Sequence, residues 1–216
     1  MTIKTIDMST WSRRDLYQLY GSLDYPYFNV CNNVDITGIY NYAIDRKLAF
    51  FQVSVYALSA AANMIPEFRC RIRRDKIVEH EKVHPSFTVL TDDKLFGFCE
   101  VEYCDDFDRF YQEATLQMQK AKKSPNLSDK PGRDDYLFMS CIPWIAFTSI
   151  SHPVHLSPPD SVPRISWGKY VLENNRVVMP VSVQVHHGLA DGYHTGEFFN
   201  NFETIIDRPS EFLQSR

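Results

Sequence analysis

The sequence predicts a two-layer α/β (α+β) sandwich, and three observations carry that expectation. Segments with period-two alternation, CRIRR (70–74), KIVEHE (76–81), SFTVL (86–90) and RVVMPVSVQV (176–185), mark strands grouped through the middle and end of the chain. Helical patterns stand before, between and after them. One of these, DDFDRFYQEATLQMQKAKK (105–123), has acids early and lysines late, as the helix dipole favours. No internal repeat or low-complexity tract is present, so helices and strands must bury their apolar sides against one another.

The elements follow in order. Ser9 or Thr10 is placed to cap a first helix through WSRRDLYQLY (11–20), which Gly21 ends. SLDYPYFNVCNNV (22–34) reads as irregular, with turns at its Pro and Asn residues. Asp35 or Thr37 caps a helix through IYNYAIDRKL (39–48), and FFQVSVYALSAAANMI (50–65) is a second, largely buried helix. Arg74-Asp75 suits a hairpin turn, and FGFCEVEY (96–103) is a further strand. SPNLSDKPGRDD (124–135) is the clearest loop. Beyond it lie YLFMSCIPW (136–144), IAFTSI (145–150) and a second loop, HPVHLSPPDSVP (152–163). ISWGKYVLE (165–173) and RVVMPVSVQV then form a hairpin around Glu173-Asn174-Asn175, and GEFFNNFETIID (196–207) closes as a helix.

A length of 216 residues suits a single domain over residues 1–216, large enough to bury a core. The net charge of −4 argues against a phosphate-backbone stripe, hence against a nucleic-acid partner. Fifteen Phe and twelve Tyr suggest apolar pockets or subunit interfaces besides core. Five cysteines, an odd number without a CxxC pair, suit free thiols in a reducing compartment. The charged opening segment lacks a signal-peptide core, and Gln52, Ser54 and Ser59 break the richest apolar run short of a membrane span. The expectation is a cytoplasmic protein without a membrane partner.

Two histidine-bearing stretches compete for attention. HEKVH (80–84) matches the zinc-peptidase pattern, but that chemistry needs a helix to bring both imidazoles to one metal. Pro85 disfavours helix at His84, and on a strand residues four apart are separated by roughly 13 Å. The stretch therefore reads as polar residues on a strand and its exit turn. His152 and His155 likewise read as members of a surface loop. QVHHGLADGYH (184–194) is different. It ends an alternating strand, so His186 and His187 point to opposite sides if the strand continues. Asp191 falls where an N-cap of the last helix belongs.

QVHHGLADGYH also resembles the HHxxxDG motif of the CoA-dependent acyltransferases, and with Gln184, Tyr193 and His194 it resembles the chloramphenicol acetyltransferase family. WSRRDLY (11–17), IPEFRCRI, VHPSFTVL, SCIPWIAFTSI (140–150), GKY (168–170) and MPVSVQVHH extend the resemblance from Trp11 to Phe202. It implies a mixed sheet with helices on one face and acetyl-CoA as co-substrate, with no metal. It also implies a homotrimer whose active sites lie at the subunit interfaces.

By the same resemblance, His187 is the general base for an acceptor hydroxyl, and Ser140 donates to the developing oxyanion. Ser166 stands where relatives carry a threonine that holds a water. Asp191 is a structural partner of Arg13 rather than a triad acid. Lys169, Tyr170 and Trp144 fall at CoA-contacting positions, and Tyr20, Phe28 and Phe96 line the acceptor pocket. Two departures stand out. Relatives read K-F-Y-P where this chain has Ala49-Phe50-Phe51-Gln52, and Asp24 replaces an apolar residue. The expected activity is acetyl transfer to chloramphenicol. The alternatives are a different small hydroxyl acceptor, or a non-catalytic CoA- or ligand-binding homologue.

Overall fold

A computed structural model describes residues 3–215. Two sheets organise it. The smaller is antiparallel and joins β1 (Ile3–Thr5), β4 (Lys76–His80) and β3 (Cys70–Arg73) in that order. Arg74, with φ of 55°, turns the β3–β4 hairpin as its sequence suggested.

The larger sheet has seven strands: β2 (Tyr27–Asp35), β5 (His84–Leu90), β6 (Phe96–Glu100), β7 (Tyr136–Ile142), β8 (Arg164–Gly168), β9 (Val171–Glu173) and β10 (Arg176–His186). Their spatial order is β2-β10-β8-β7-β5-β6, with β9 beside β8 on the same flank of β10. The sheet is mixed, because β7 runs parallel to both β5 and β8 while the other pairs are antiparallel.

Alternation along β10 explains the layering. Val177, Met179, Val181, Val183 and Val185 all face one core. Leu137 and Met139 of β7 and Ile165 and Trp167 of β8 join them there. Four helices supply the other half of that core: α2 (Thr37–Asp45), α3 (Phe50–Asn63), α4 (Phe107–Lys123) and α5 (Gly192–Asp207). α3 is buried on almost every side, which its Ala-rich, uncharged composition allows. Gln52, at the departure from the K-F-Y-P pattern, turns inward and donates to Thr115 Oγ1 on α4 at 3.2 Å. The opposite face of the sheet carries a row of hydroxyls and a thiol, since Ser140 is in register with Ser166, Ser166 with Ser182, and Ser182 with Cys31.

Four local expectations are corrected. The first helix, α1 (Arg14–Gly21), begins later than expected, because Ser9 and Thr10 bond to Asp7 instead of capping it. Residues 27–35 are not irregular: β2 pairs with β10 over nine residues. Residues 145–150 form no strand. ISWGKYVLE is two strands, split at Lys169-Tyr170, so only its Val171–Glu173 end forms the hairpin with β10. That turn passes through Asn174 and Asn175, both at positive φ.

Candidate active site

β10 ends at His186, and the chain reaches α5 through a short turn. Asp191 caps that helix, accepting from the Tyr193 backbone N–H at 3.0 Å. Its other oxygen lies 2.8 Å from Arg13 Nη1, which ties the start of α1 to the turn. Burial works against the Asp191 charge, but Arg13 and His194 outweigh it and lower the carboxyl to about 2. His194 sits between Asp191 (2.9 Å) and Glu67 (3.5 Å); burial opposes its charge, yet these carboxylates raise its pKa.

The two adjacent histidines occupy different surroundings. His186 is buried against Tyr27 and Tyr17. Its Nδ1 accepts from the Gly188 N–H at 3.2 Å. Burial, with His187 adding to it, lowers its pKa to about 4, so the ring is neutral at neutral pH. His187 is half-buried, and its backbone N–H donates to Pro26 O at 2.8 Å. Its ring stacks on Tyr20 at 3.7 Å between centroids, with Phe28 at 4.9 Å on a tilted contact. Its Nδ1 is buried without a partner, leaving Nε2 as the nitrogen for exchange with a ligand.

A separate cleft of about 1680 Å³ opens on the hydroxyl-bearing side of the sheet. Ser140, Ser166, Trp144, Lys169, Tyr170 and Phe96 line it; His187, Tyr20 and Phe28 do not. Trp144 is 66% exposed on the segment after β7. Gly168 lets that segment lie on β8, because a Cβ there would meet Ile145 O at 2.7 Å. Lys169 is exposed, and the Tyr170 ring packs near Phe50 and Tyr40.

Sequence reasoning missed a neighbour of Ser166. The His152 ring reaches in from the 152–163 loop, with Nε2 2.9 Å from the Ser166 hydroxyl. No local signal announced it, since the contact depends on where the loop lies.

Cross-strand register shows how far apart the two groups of residues are. Ser140 is two strands away from Ser182, and His187 lies five residues beyond Ser182. At ordinary strand spacing and rise, Ser140 and His187 are separated by roughly 15–20 Å. One chain does not bring them to one reacting atom. The HEKVH histidines also go separate ways: His80 Nε2 is 2.9 Å from Asp134, while His84 Nδ1 accepts from the Tyr103 N–H at 2.9 Å. Both are buried rather than displayed on a surface strand. Among the described residues, no group of three or more His, Cys, Asp and Glu side chains is placed to hold a metal ion. Nor is any described helix long and apolar enough to cross a membrane.

The family model described as chloramphenicol acetyltransferase matches residues 1–203. A chloramphenicol acetyltransferase from Bacillus pumilus is 31% identical over 212 residues, covering 97% of this chain and 96% of the relative. Chloramphenicol acetyltransferase 2 from Haemophilus influenzae is 28% identical over 96% of this chain and 98% of its own. A solved chloramphenicol acetyltransferase superposes with a TM-score of 0.84 at 27% identity, covering 95% of this chain and all of that one. The dihydrolipoamide acetyltransferase of Azotobacter vinelandii shares the fold, with a TM-score of 0.70 at 16% identity over 92% of this chain and 88% of that one. With the family model spanning nearly the whole chain and the HHxxxDG turn standing at the end of β10, this chain belongs to the chloramphenicol acetyltransferase family.

Proposed function

We propose that this chain is a cytoplasmic, single-domain acetyltransferase that moves the acetyl group of acetyl-CoA to a hydroxyl of chloramphenicol, and that it works as a homotrimer. The observation that carries the reading is the separation of His187 from Ser140. One copy supplies the histidine with Tyr20 and Phe28, and a neighbouring copy supplies the cleft with Ser140 and Ser166. A closed ring of three copies joins every histidine to a cleft, giving three interfacial sites.

In that composite site, Nε2 of His187 takes the acceptor hydroxyl proton as the oxygen attacks the thioester carbonyl carbon. The new C–O bond pushes the carbonyl electrons onto oxygen, where the Ser140 hydroxyl donates a hydrogen bond. Collapse breaks the C–S bond, and the proton held by His187 goes to the departing thiolate. Arg13 and Asp191 hold the turn that carries His187. Lys169, Tyr170 and Trp144 contact CoA at the cleft mouth, while Tyr20, Phe28 and Phe96 line the acceptor side. No metal takes part in this scheme.

A second reading keeps the chemistry and changes the acceptor to a more polar hydroxyl compound. It is favoured by the cleft wall, which carries His152 and the ion pair between Arg164 and Asp160. Thiol release from acetyl-CoA distinguishes the readings. Wild type releases thiol with chloramphenicol, His187→Ala loses turnover, and His186→Ala retains it. Release with another hydroxyl acceptor alone supports the second reading, and acetyl-CoA binding with no release for any acceptor would leave a non-catalytic binder.

A further inference from the structure

We propose that His152 is a positioning residue, fixing the orientation of the Ser166 hydroxyl in the cleft. The inference rests on the acetyltransferase reading above and adds a residue to its machinery.

Ser166 is 1% exposed in the middle of β8, and its side chain lines the cleft in register with Ser140. Its recorded side-chain hydrogen bond is the one to His152 Nε2 at 2.9 Å. A serine hydroxyl rotates among three staggered positions, and a single directed partner selects one of them. His152 is itself held, because its backbone N–H donates to Gln184 Oε1 at 3.1 Å, and Gln184 is buried on β10. Strand β10 therefore anchors the loop residue that steers a hydroxyl on β8.

The charged group that acts on this ring is Arg164, on β8 two residues before Ser166, which pairs with Asp160. Burial, with Arg164 adding to it, lowers the His152 pKa, so the ring is neutral at neutral pH. A neutral imidazole offers one donor and one acceptor nitrogen. In either tautomer Ser166 exchanges one hydrogen bond with the ring and turns its remaining capacity toward the cleft. A serine lacks the methyl that would restrict a threonine rotor, and the imidazole supplies the restriction from outside.

The test is a double-mutant cycle on the purified enzyme, with acetyl-CoA varied up to saturation. His152→Ala is expected to lower kcat by about tenfold, the scale of one lost orienting hydrogen bond, while the acetyl-CoA KM stays within about twofold. His152→Gln, whose carboxamide can reach the serine, recovers most of the rate. In a Ser166→Ala background, His152→Ala adds no further loss. A full multiplicative loss in the double variant, or an effect confined to KM, overturns the proposal. A second readout needs no turnover: the His152 ring nitrogens, followed by NMR, should titrate at a different pH in Ser166→Ala than in wild type. An unchanged titration also overturns it. If wild type turned over no hydroxyl acceptor while Ser166→Ala still moved the His152 titration, the functional reading would fail and the positioning would stand.

Discussion

The end of β10 and the cleft across the sheet are built in opposite ways. At the end of β10, the chemistry-bearing residues come from one short run, 184–194, steadied by α1 and β2. In the cleft they come from β7, β8 and a loop, and share a wall only because the strands align in register. The first region is a local motif, and the second is a tertiary product. The difference teaches that neither region suffices for the proposed reaction. On the proposed mechanism the base at one region and the oxyanion donor at the other would have to come from different copies of the chain.

Substitutions can break or sharpen that contrast. The largest effect after loss of His187 itself is expected at Ser140. Ser140→Ala should lower kcat by roughly 100- to 1000-fold, with KM values little changed and unfolding unaltered. Steady-state kinetics beside thermal melts check it, and a fall in melting temperature parallel to the rate loss would assign Ser140 to the fold instead.

A medium effect is expected at the tie between α1 and the turn. Arg13→Ala removes a charge-assisted bond to Asp191, but it also releases Nε and Nη2, which are buried without partners. The two partly cancel, so a loss of about 1–2 kcal/mol in denaturant unfolding is expected. Asp191 sharpens the point through pH. Its folded-state pKa lies at about 2, below the ordinary aspartate value of 3.8, so its contribution is present above 3.8 and lost as pH falls through about 2. Asp191→Asn should flatten the stability profile in that window and lower neutral-pH melting at least as much as Arg13→Ala does, because it leaves the part-buried Arg13 charge unpaired. An acid limb as steep as wild type would deny the pair its role.

The smallest effect belongs to the cleft mouth. Trp144 is largely exposed, so Trp144→Ala should raise the acetyl-CoA KM several-fold without moving kcat or melting. Isothermal titration with CoA reads the same loss without turnover.

How much of this was legible follows from the same contrast. The capping Asp191, the buried helix α3 and the Arg74-Asp75 and Asn174-Asn175 turns depend on neighbours in sequence, and the residue pattern announced each of them. Strand β2 was hidden because Asn29, Cys31, Asn32 and Asn33 dilute its alternation. It is a strand because β10 offers nine residues of pairing, a non-local gain that outweighs weak propensity. His152 was hidden for a related reason, since a Pro-rich loop carries no period and its contact with Ser166 is purely tertiary. The early start expected for α1 failed locally, where the Asp7 carboxylate captured the Ser9 hydroxyl.

The central claim is that His187 and Ser140 meet across two copies of the chain, and subunit mixing tests it most directly. His187→Ala and Ser140→Ala, each nearly inactive alone, are co-expressed in equal amounts, and the purified mixed assemblies are assayed for thiol release. Closed trimers that contain both chains carry one intact histidine–serine pairing out of three, so the mixed assemblies should recover about a third of wild-type activity. Activity no greater than that of the two parents, in assemblies shown by mass to contain both chains, would place the two residues in one subunit and contradict the composite site.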